Sequence, residues 1–465
     1  MDFLALGNTD AIGASCHFLK IGETGIVLDA GADPEAEGPD SVPRYEALRD
    51  NTSWYVDHAV ITHAHHDHVG SLPLLIREFP HVLVHMTRPT RDLIDVLLPA
   101  SARLQRRRQR EGSSPYEPLF EEAELELQSY LYLTHDLEVP FDLTGIRGGT
   151  TIRGTLYSAG HILGSVGVLL EFDDGAGNRR VFYTSDTNLR PQSIIPGADY
   201  PEPPIDVLIL ESTLGADPEA ELTTRKTEEK RLAEALRRTI ARGGAVLMPV
   251  FALGRAQEIL ALIGSFKRRG ILPDDLPVYT AGSMRAVADL YDKTRYSTPR
   301  LNPEFQVFEV EQKRLPRSLS GKLAAMSEPG IFLVSSGMMF ERTLSNELAK
   351  YVIERPENAI LLVGFAREDS PAERLLRAAS NGAEAEVVLD PLIGPQPLRC
   401  EVQRFRFSGH SHRRDLIQLV ERLKPKKVVL VHGEEKARQW MSDNVSFFYP
   451  DIELVLPHTG VPLEL

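Results

Sequence analysis

The sequence predicts an α/β fold built from more than one domain, and three observations carry that expectation. Short apolar runs rich in Val, Ile and Leu alternate with stretches of helical periodicity as far as about residue 395. The composition, 42% hydrophobic and 25% charged, is that of a globular protein and excludes collagen, coiled coil or general disorder. A length of 465 residues corresponds to two or three domains at roughly 150 residues each.

Taken in order, residues 16–21 are mostly apolar, Gly22-Glu23-Thr24-Gly25 turns the chain, and Ile26-Val27-Leu28 runs into Asp29-Ala30-Gly31. This reads as a hairpin of two strands feeding a loop. Ala59-Val60-Ile61 leads into a histidine cluster, after which residues 72–76 read as the first turns of a helix. Arg103, Arg106, Arg107, Arg108 and Arg110 form a basic tract, followed by an acidic one at Glu121, Glu122, Glu124 and Glu126. Two readings are open there: a pair of solvated helices, or an arginine stripe that touches a phosphate backbone. Strand-like runs resume at 168–172, 181–183 and 207–210. A helix is expected over 228–241, with Leu232, Ala235, Leu236 and Ile240 on one face and Gly243-Gly244 ending it. A strand at 245–248 and a helix from near Gly254 follow. There is no fixed-period repeat and no low-complexity linker.

The net charge of −14 argues against a protein that coats nucleic acid non-specifically, because neutralising phosphates takes Lys and Arg. Two cysteines, Cys16 and Cys400, exclude a disulfide scaffold and a Cys-rich zinc module. No apolar run approaches the ~18 residues of a membrane span. The opening MDFLALGNTDAIG lacks the basic and apolar regions of a signal peptide. A cytoplasmic location and no membrane partner are therefore expected.

The chemistry concentrates in Thr62-His63-Ala64-His65-His66-Asp67-His68-Val69-Gly70. His63 and His65 are two apart, so on an extended segment they point the same way. Asp67 and His68 follow where the chain turns toward a helix. Imidazole and carboxylate suit divalent zinc. Four such side chains in six residues exceed what one tetrahedral ion with an open position can use, so two metals sharing the cluster is the economical reading. His66 is read as structural.

This H-x-H-x-D-H pattern resembles that of the metallo-β-lactamase superfamily, whose motif is followed by one further His and one further Asp, each just after a strand. His161, in Gly160-His161-Ile162, and Asp186, in Ser185-Asp186-Thr187, match them, and Asp29 matches the first motif. The resemblance implies that His63, His65 and His161 hold one zinc, that Asp67 and His68 hold a second, and that Asp186 bridges the two Zn(2+) ions. Asp29 would orient the histidine loop from behind the ligands.

Three later motifs resemble those of the β-CASP ribonucleases within that superfamily: Glu211 in Leu210-Glu211-Ser212-Thr213, His410 in Phe407-Ser408-Gly409-His410, and His432 in Val431-His432-Gly433. Pro249-Val250-Phe251-Ala252-Leu253-Gly254-Arg255 and Ser335-Ser336-Gly337-Met338-Met339 add to the match. The resemblance implies a four-layered αββα metallo-β-lactamase sandwich formed by residues 1–212 and 396–465, with an α/β β-CASP domain inserted at 213–395 and an active site in the cleft between them. It implies zinc-dependent hydrolysis of RNA phosphodiester bonds to 3′-hydroxyl and 5′-phosphate ends. Metal-bound hydroxide would be the nucleophile, Asp67 a catalytic ligand, and His410, paired with Glu211, the general acid. His432 would complete the second zinc and favours RNA over DNA, because the DNA-specific branch typically carries Val there. Ser408 is a candidate phosphate contact and equally a turn serine, the helix start near Gly254-Arg255 binds phosphate or only packs, and His412 is expected to be exposed and inert. Neither a KH extension nor an RNase J-type C-terminal domain is expected. Single-stranded RNA is the expected partner, and a homodimer is an open alternative. The rivals are a DNA nuclease of the same family, a small-ester hydrolase of the superfamily, and a silent RNA-binding scaffold.

Overall fold

The computed structural model describes every residue except 10, 52, 365, 368, 383 and 384, together with all side chains but that of residue 220. The fold is α/β and divides into two compact units. The first comprises Met1–Pro191, Ile195–Pro218 and His410–Leu465, and the second Gln192–Ile194 and Glu219–Gly409.

The first unit contains two seven-stranded sheets. One begins with the antiparallel set Asp2–Ala5, His17–Ile21 and Thr24–Leu28 and continues through the parallel strands His58–Val60, Leu83–Thr87 and Tyr132–His135. Strand Asp2–Ala5 is absent from the sequence-based reading. It is only four residues long, has no turn signal before it, and is stabilised by pairing with His17–Ile21 rather than by its own pattern. The second sheet carries Ile152–Ser158, Val166–Asp173, Asn178–Tyr183, Val207–Glu211 and Lys427–Val431 as neighbours in the order 427, 207, 178, 166, 152 by first residue. Phe3, Leu19 and Ile26 from the first sheet and Leu156, Val168, Leu170 and Ile209 from the second bury one shared core, since alternate residues of each strand face inward.

On the outer face of the second sheet, Phe182, Leu208 and Leu210 pack against Leu416, Val420 and Met441 of the helices Arg413–Leu423 and Glu435–Phe448. Phe182 is fully buried, and truncating it to Ala would cost about 3–5 kcal/mol.

Strand direction places the chemistry. In the second sheet Asn178–Tyr183, Val207–Glu211 and Lys427–Val431 are mutually parallel, and Ile152–Ser158 is antiparallel to a strand that is antiparallel to Asn178–Tyr183. The C-terminal ends of all four therefore lie along one edge. Thr24–Leu28 and His58–Val60 are parallel in the first sheet. The residues at or just beyond these strand ends are Asp29, His63, His161, Asp186, Glu211 and His432.

The second unit has a six-stranded, all-parallel sheet in the spatial order Gln312–Arg314, Val278–Thr280, Gly330–Val334, Ala245–Pro249, Ala359–Leu362, Glu401–Arg404. Its central strands, AVLMP and GIFLV, are buried throughout, which is why they are apolar runs without alternation. Because Glu401–Arg404 pairs into this sheet, the second unit runs on to Gly409. The helix Arg255–Arg268 opens at Gly254, in the left-handed region at φ 83°, and the Gln257 side-chain oxygen accepts the Gly254 N–H at 2.8 Å.

The arginine tract ends the helix Arg88–Arg110, and the acidic tract lies around the helix Glu122–Gln128. Arg103 pairs with Glu122, Arg106 with Glu121, Arg107 with Glu111 and Arg108 with Glu37. These are the solvated, mutually neutralising helices of the first reading. Among the described residues, no helix is long and apolar enough to cross a membrane.

Candidate metal centre

The histidine loop begins in extended backbone after His58–Val60 and turns into the short helix His66–Val69. Its carbonyls are tied down by the segments that flank the first strands. Ser15 N–H donates to the Asp67 carbonyl at 2.7 Å, Ala30 N–H to that of His68 at 2.8 Å, and Ala32 N–H to that of His66 at 3.0 Å. This close approach requires glycine at position 31, where a Cβ would lie 1.8 Å from the Asp67 carbonyl oxygen. Asp29, Ser185 and His432 adopt positive φ angles of 62°, 50° and 50°. Such angles are unfavourable for these side chains and mark corners held by their surroundings.

The loop and strand ends bring nine side chains into three overlapping groups: His63, His65, His161 and Asp186; Asp67, His68, Asp186 and His432; and Asp186, Glu211 and His410. Within each group one ligand atom per residue lies within 4.8 Å of the others. The rings of His63, His65 and His161 form a near-symmetric array, with centroids 5.0 Å apart in every pair. Asp186 faces two groups with different oxygens. Its Oδ2 is 3.7 Å from His63 Nε2 and 3.6 Å from His161 Nε2, while its Oδ1 is 3.3 Å from His68 Nε2 and 3.2 Å from His432 Nδ1. His432 Nε2 is 3.5 Å from Asp67 Oδ2.

Asp29 is fully buried behind this cluster. Its Oδ1 accepts the Thr62 N–H at 2.8 Å, and its Oδ2 accepts the Tyr183 hydroxyl at 2.9 Å and faces His68 Nδ1 at 2.8 Å. A proton on His68 Nδ1 satisfies Asp29 and turns the Nε2 lone pair toward Asp186, the arrangement of a carboxylate that fixes a metal-binding imidazole. Thr213 Oγ1, 3.0 Å from His432 Nδ1, supports His432 in the same manner. Tyr183, Thr62 and Thr213 went unread in the sequence. Their only signal is adjacency to a motif, as in Thr62-His63 and Glu211-Ser212-Thr213.

Glu211 is also fully buried. It accepts the backbone N–H of Thr187 at 2.8 Å and that of Thr213 at 3.2 Å, and both its oxygens lie 3.2 Å from His410 Nδ1. His410 lies six positions beyond Arg404, where the preceding strand ends. Ser408 is half-buried and belongs to the second unit. His66 opens the short helix of the loop. His412 is half-buried at the start of Arg413–Leu423 rather than exposed.

The protein's own charges tune these groups in opposite directions. Burial disfavours charge on His68, but Asp186 and Asp29 outweigh it and hold its pKa well above the usual imidazole value. Burial likewise opposes a charged His410, yet Glu211 and Asp186 raise its pKa to about 9. His63 is pushed well below the usual value by burial and by His68. Burial would raise Asp186 and Asp67, but the neighbouring histidines hold both below the carboxylate range.

The residues fit a cation. Among the described residues, His63 Nε2 and Asp186 Oδ1 are buried without a hydrogen-bond partner, a costly arrangement that a bound metal ion would relieve. The ligand set of imidazoles and carboxylates is that of zinc or a similar divalent ion. Loading would displace the proton favoured at His68.

Family models match three stretches: the metallo-beta-lactamase superfamily at residues 9–191, the Beta-Casp domain at 256–375, and the Zn-dependent metallo-hydrolase RNA specificity domain at 395–457. The chain belongs to the β-CASP family of the metallo-β-lactamase superfamily. It is 30% identical over 446 residues to the transcription termination factor FttA of Methanothermobacter thermautotrophicus, covering 92% of this chain and 66% of that protein. It is 28% identical to an RNase J-like protein of Methanocaldococcus jannaschii, covering 97% and 98%. It is 27% identical to endoribonuclease YSH1 of Candida glabrata, covering 93% and 54%. The chain thus spans about two thirds of the first and about half of the third. A solved protein of unknown function from Enterococcus faecalis V583 shares the fold, with a TM-score of 0.53 at 13% identity and 100% and 99% of the two chains covered.

Proposed function

We propose that this β-CASP chain is a metal-dependent ribonuclease that hydrolyses RNA phosphodiester bonds. One observation carries the reading: Asp186 faces two separate ligand groups, with buried Glu211 paired to half-buried His410 beside them. The names of the relatives, RNase J-like protein and endoribonuclease among them, support the substrate class. Two zinc ions, one on His63, His65 and His161 and one on Asp67, His68 and His432 with Asp186 between, would supply a hydroxide near neutral pH and offset charge on the attacked phosphate. The family-model description and His432 favour RNA; single-stranded RNA and a cytoplasmic setting are proposed with it. Ser408 is proposed to contact a phosphate. A homodimer is compatible with this reading but nothing in it depends on one.

The protein's own residues then divide the labour. Asp29 holds His68 in the tautomer that presents Nε2. Glu211 accepts at His410 Nδ1, which leaves the Nε2 proton for the departing 3′ oxygen as the P–O bond breaks. Both remaining hydrogen bonds to Glu211 come from backbone, so its charge is fixed in place.

The test is His410→Ala, assayed on RNA and DNA oligomers of one sequence and on circular RNA, with metal measured by elemental analysis. RNA cleavage should fall by roughly 10²–10⁴-fold with metal content unchanged. Unchanged turnover would remove the acid assignment, and preferential cleavage of DNA would move the substrate class. Cleavage of the circle would establish endonuclease action.

A further inference from the structure

A groove of about 500 Å³ lies between the helices Arg88–Arg110 and Glu122–Gln128, shares no lining residue with the metal centre, and falls within the size range of small-ligand sites. Its floor is apolar, formed by Ile94, Leu98 and Leu125, all buried. Asp95 and Glu126 line it, and among the described residues neither carboxylate has a hydrogen-bond or ion-pair partner. Tyr132 also lines it. That residue is 5% exposed, and its hydroxyl has no partner among the described residues. Pro99, at the edge of the groove, has no N–H to give the Asp95 carbonyl four residues earlier, so a further acceptor is left at the same place.

Apart from the phenol proton, what the groove offers is acceptors and negative charge over an apolar floor. Glu122, its third carboxylate, is neutralised by Arg103. The acids do not converge into a three-ligand group, in contrast to the metal centre, so the site is not built for a point cation. Burial raises the pKa of Asp95, and the attraction of Arg91 and Arg88, neither of them in ion-pair contact with it, does not offset that. An elongated cation with N–H donors separated by methylenes matches each feature: ammonium groups for Asp95, Glu126 and the Asp95 carbonyl, and methylenes for Leu98 and Leu125.

We propose that this groove is a binding site for an aliphatic polyamine. The test is isothermal titration of the full chain with spermidine and with butylamine in about 0.15 M salt, where weak surface attraction is screened. Spermidine should bind one site with a submillimolar Kd, and butylamine at least about tenfold more weakly. The double variant D95N/E126Q, altered at two carboxylates outside the metal centre, should lose at least about tenfold in affinity and keep its melting temperature and RNA cleavage. Tyr132→Phe should weaken binding severalfold. Absence of binding at about 10 mM, equal affinity for butylamine, or unchanged affinity in D95N/E126Q would each overturn the proposal.

Discussion

Among its described residues the first unit holds two clusters of buried or half-buried histidines, and the charges around them act differently. One is the metal centre. The other runs across three neighbouring strands: His58 Nδ1 is 3.0 Å from His85 Nε2, and His85 Nδ1 is 2.9 Å from His135 Nε2. His58 Nε2 meets the Thr144 carbonyl at 3.3 Å and must donate to it, so the tautomers follow along the chain. His58 accepts from His85, and His85 accepts from His135. A proton added to either of the first two rings would set two donors face to face. Burial, then His58 and His135, lower the pKa of His85 to about 3. In the metal centre Asp29, Asp67, Asp186 and Glu211 reverse that outcome for His68 and His410. Carboxylates in direct contact with the rings, as Asp29 is with His68 and Glu211 with His410, separate the two clusters; Asp57, Asp136 and Asp142 act on the second only as weaker charges that burial outweighs.

The most severe way to break this contrast is Asp186→Asn, which removes the charge shared by all three groups. Metal content should fall, and RNA cleavage should drop by roughly a thousandfold, about 4 kcal/mol of barrier. Full metal retention, read by elemental analysis, would show that the bridge is dispensable.

The second cluster is tested by acid. His85 has a folded pKa of about 3, below the ordinary 6.5, so the unfolded chain takes up the proton first as the pH falls. Its contribution to stability is complete above about pH 6.5 and is lost progressively toward 3. Between about pH 6.5 and 5 the loss should be about 2 kcal/mol. His85→Gln keeps one donor and one acceptor but cannot titrate, so its urea midpoint should depend less on pH over this range. Equal pH dependence in the two proteins would exclude the neutral chain as the cause.

A smaller effect is expected at the groups that orient ligands. Thr213→Val leaves every proposed ligand in place but removes the hydroxyl beside His432 Nδ1. Affinity for the metal proposed at His432, measured by chelator competition, should fall about tenfold. The smallest change is expected from Arg106→Ala, whose partner Glu121 is exposed. Stability should shift by less than about 1 kcal/mol. The salt dependence of RNA affinity should stay shallow and unchanged, whereas a reduced slope would return the arginine tract to the RNA interface.

The candidate ligands of the histidine loop could be singled out because their spacing is local: an extended segment turning into a helix places four of them within six residues. Strands such as Ala245–Pro249 were legible because burial on both faces demands an uninterrupted apolar run. The four-residue first strand was not. Its stability comes from a neighbour it meets only in the fold, with Asp2 opposite Lys20 and Ala5 opposite His17, and not from its own pattern.

By itself the sequence determined the kinds of ligand present, their local order and the alternation of strands and helices. Tertiary structure alone decided which hydroxyl stands behind which imidazole, how His410 meets Glu211 across 199 residues, and that His58, His85 and His135 share a hydrogen-bonded chain in which burial outweighs the nearby Asp57, Asp136 and Asp142. The reason is physical: protonation state and ligand orientation depend on distances of about 3 Å between groups far apart in the chain, and only the packed sheets set those distances.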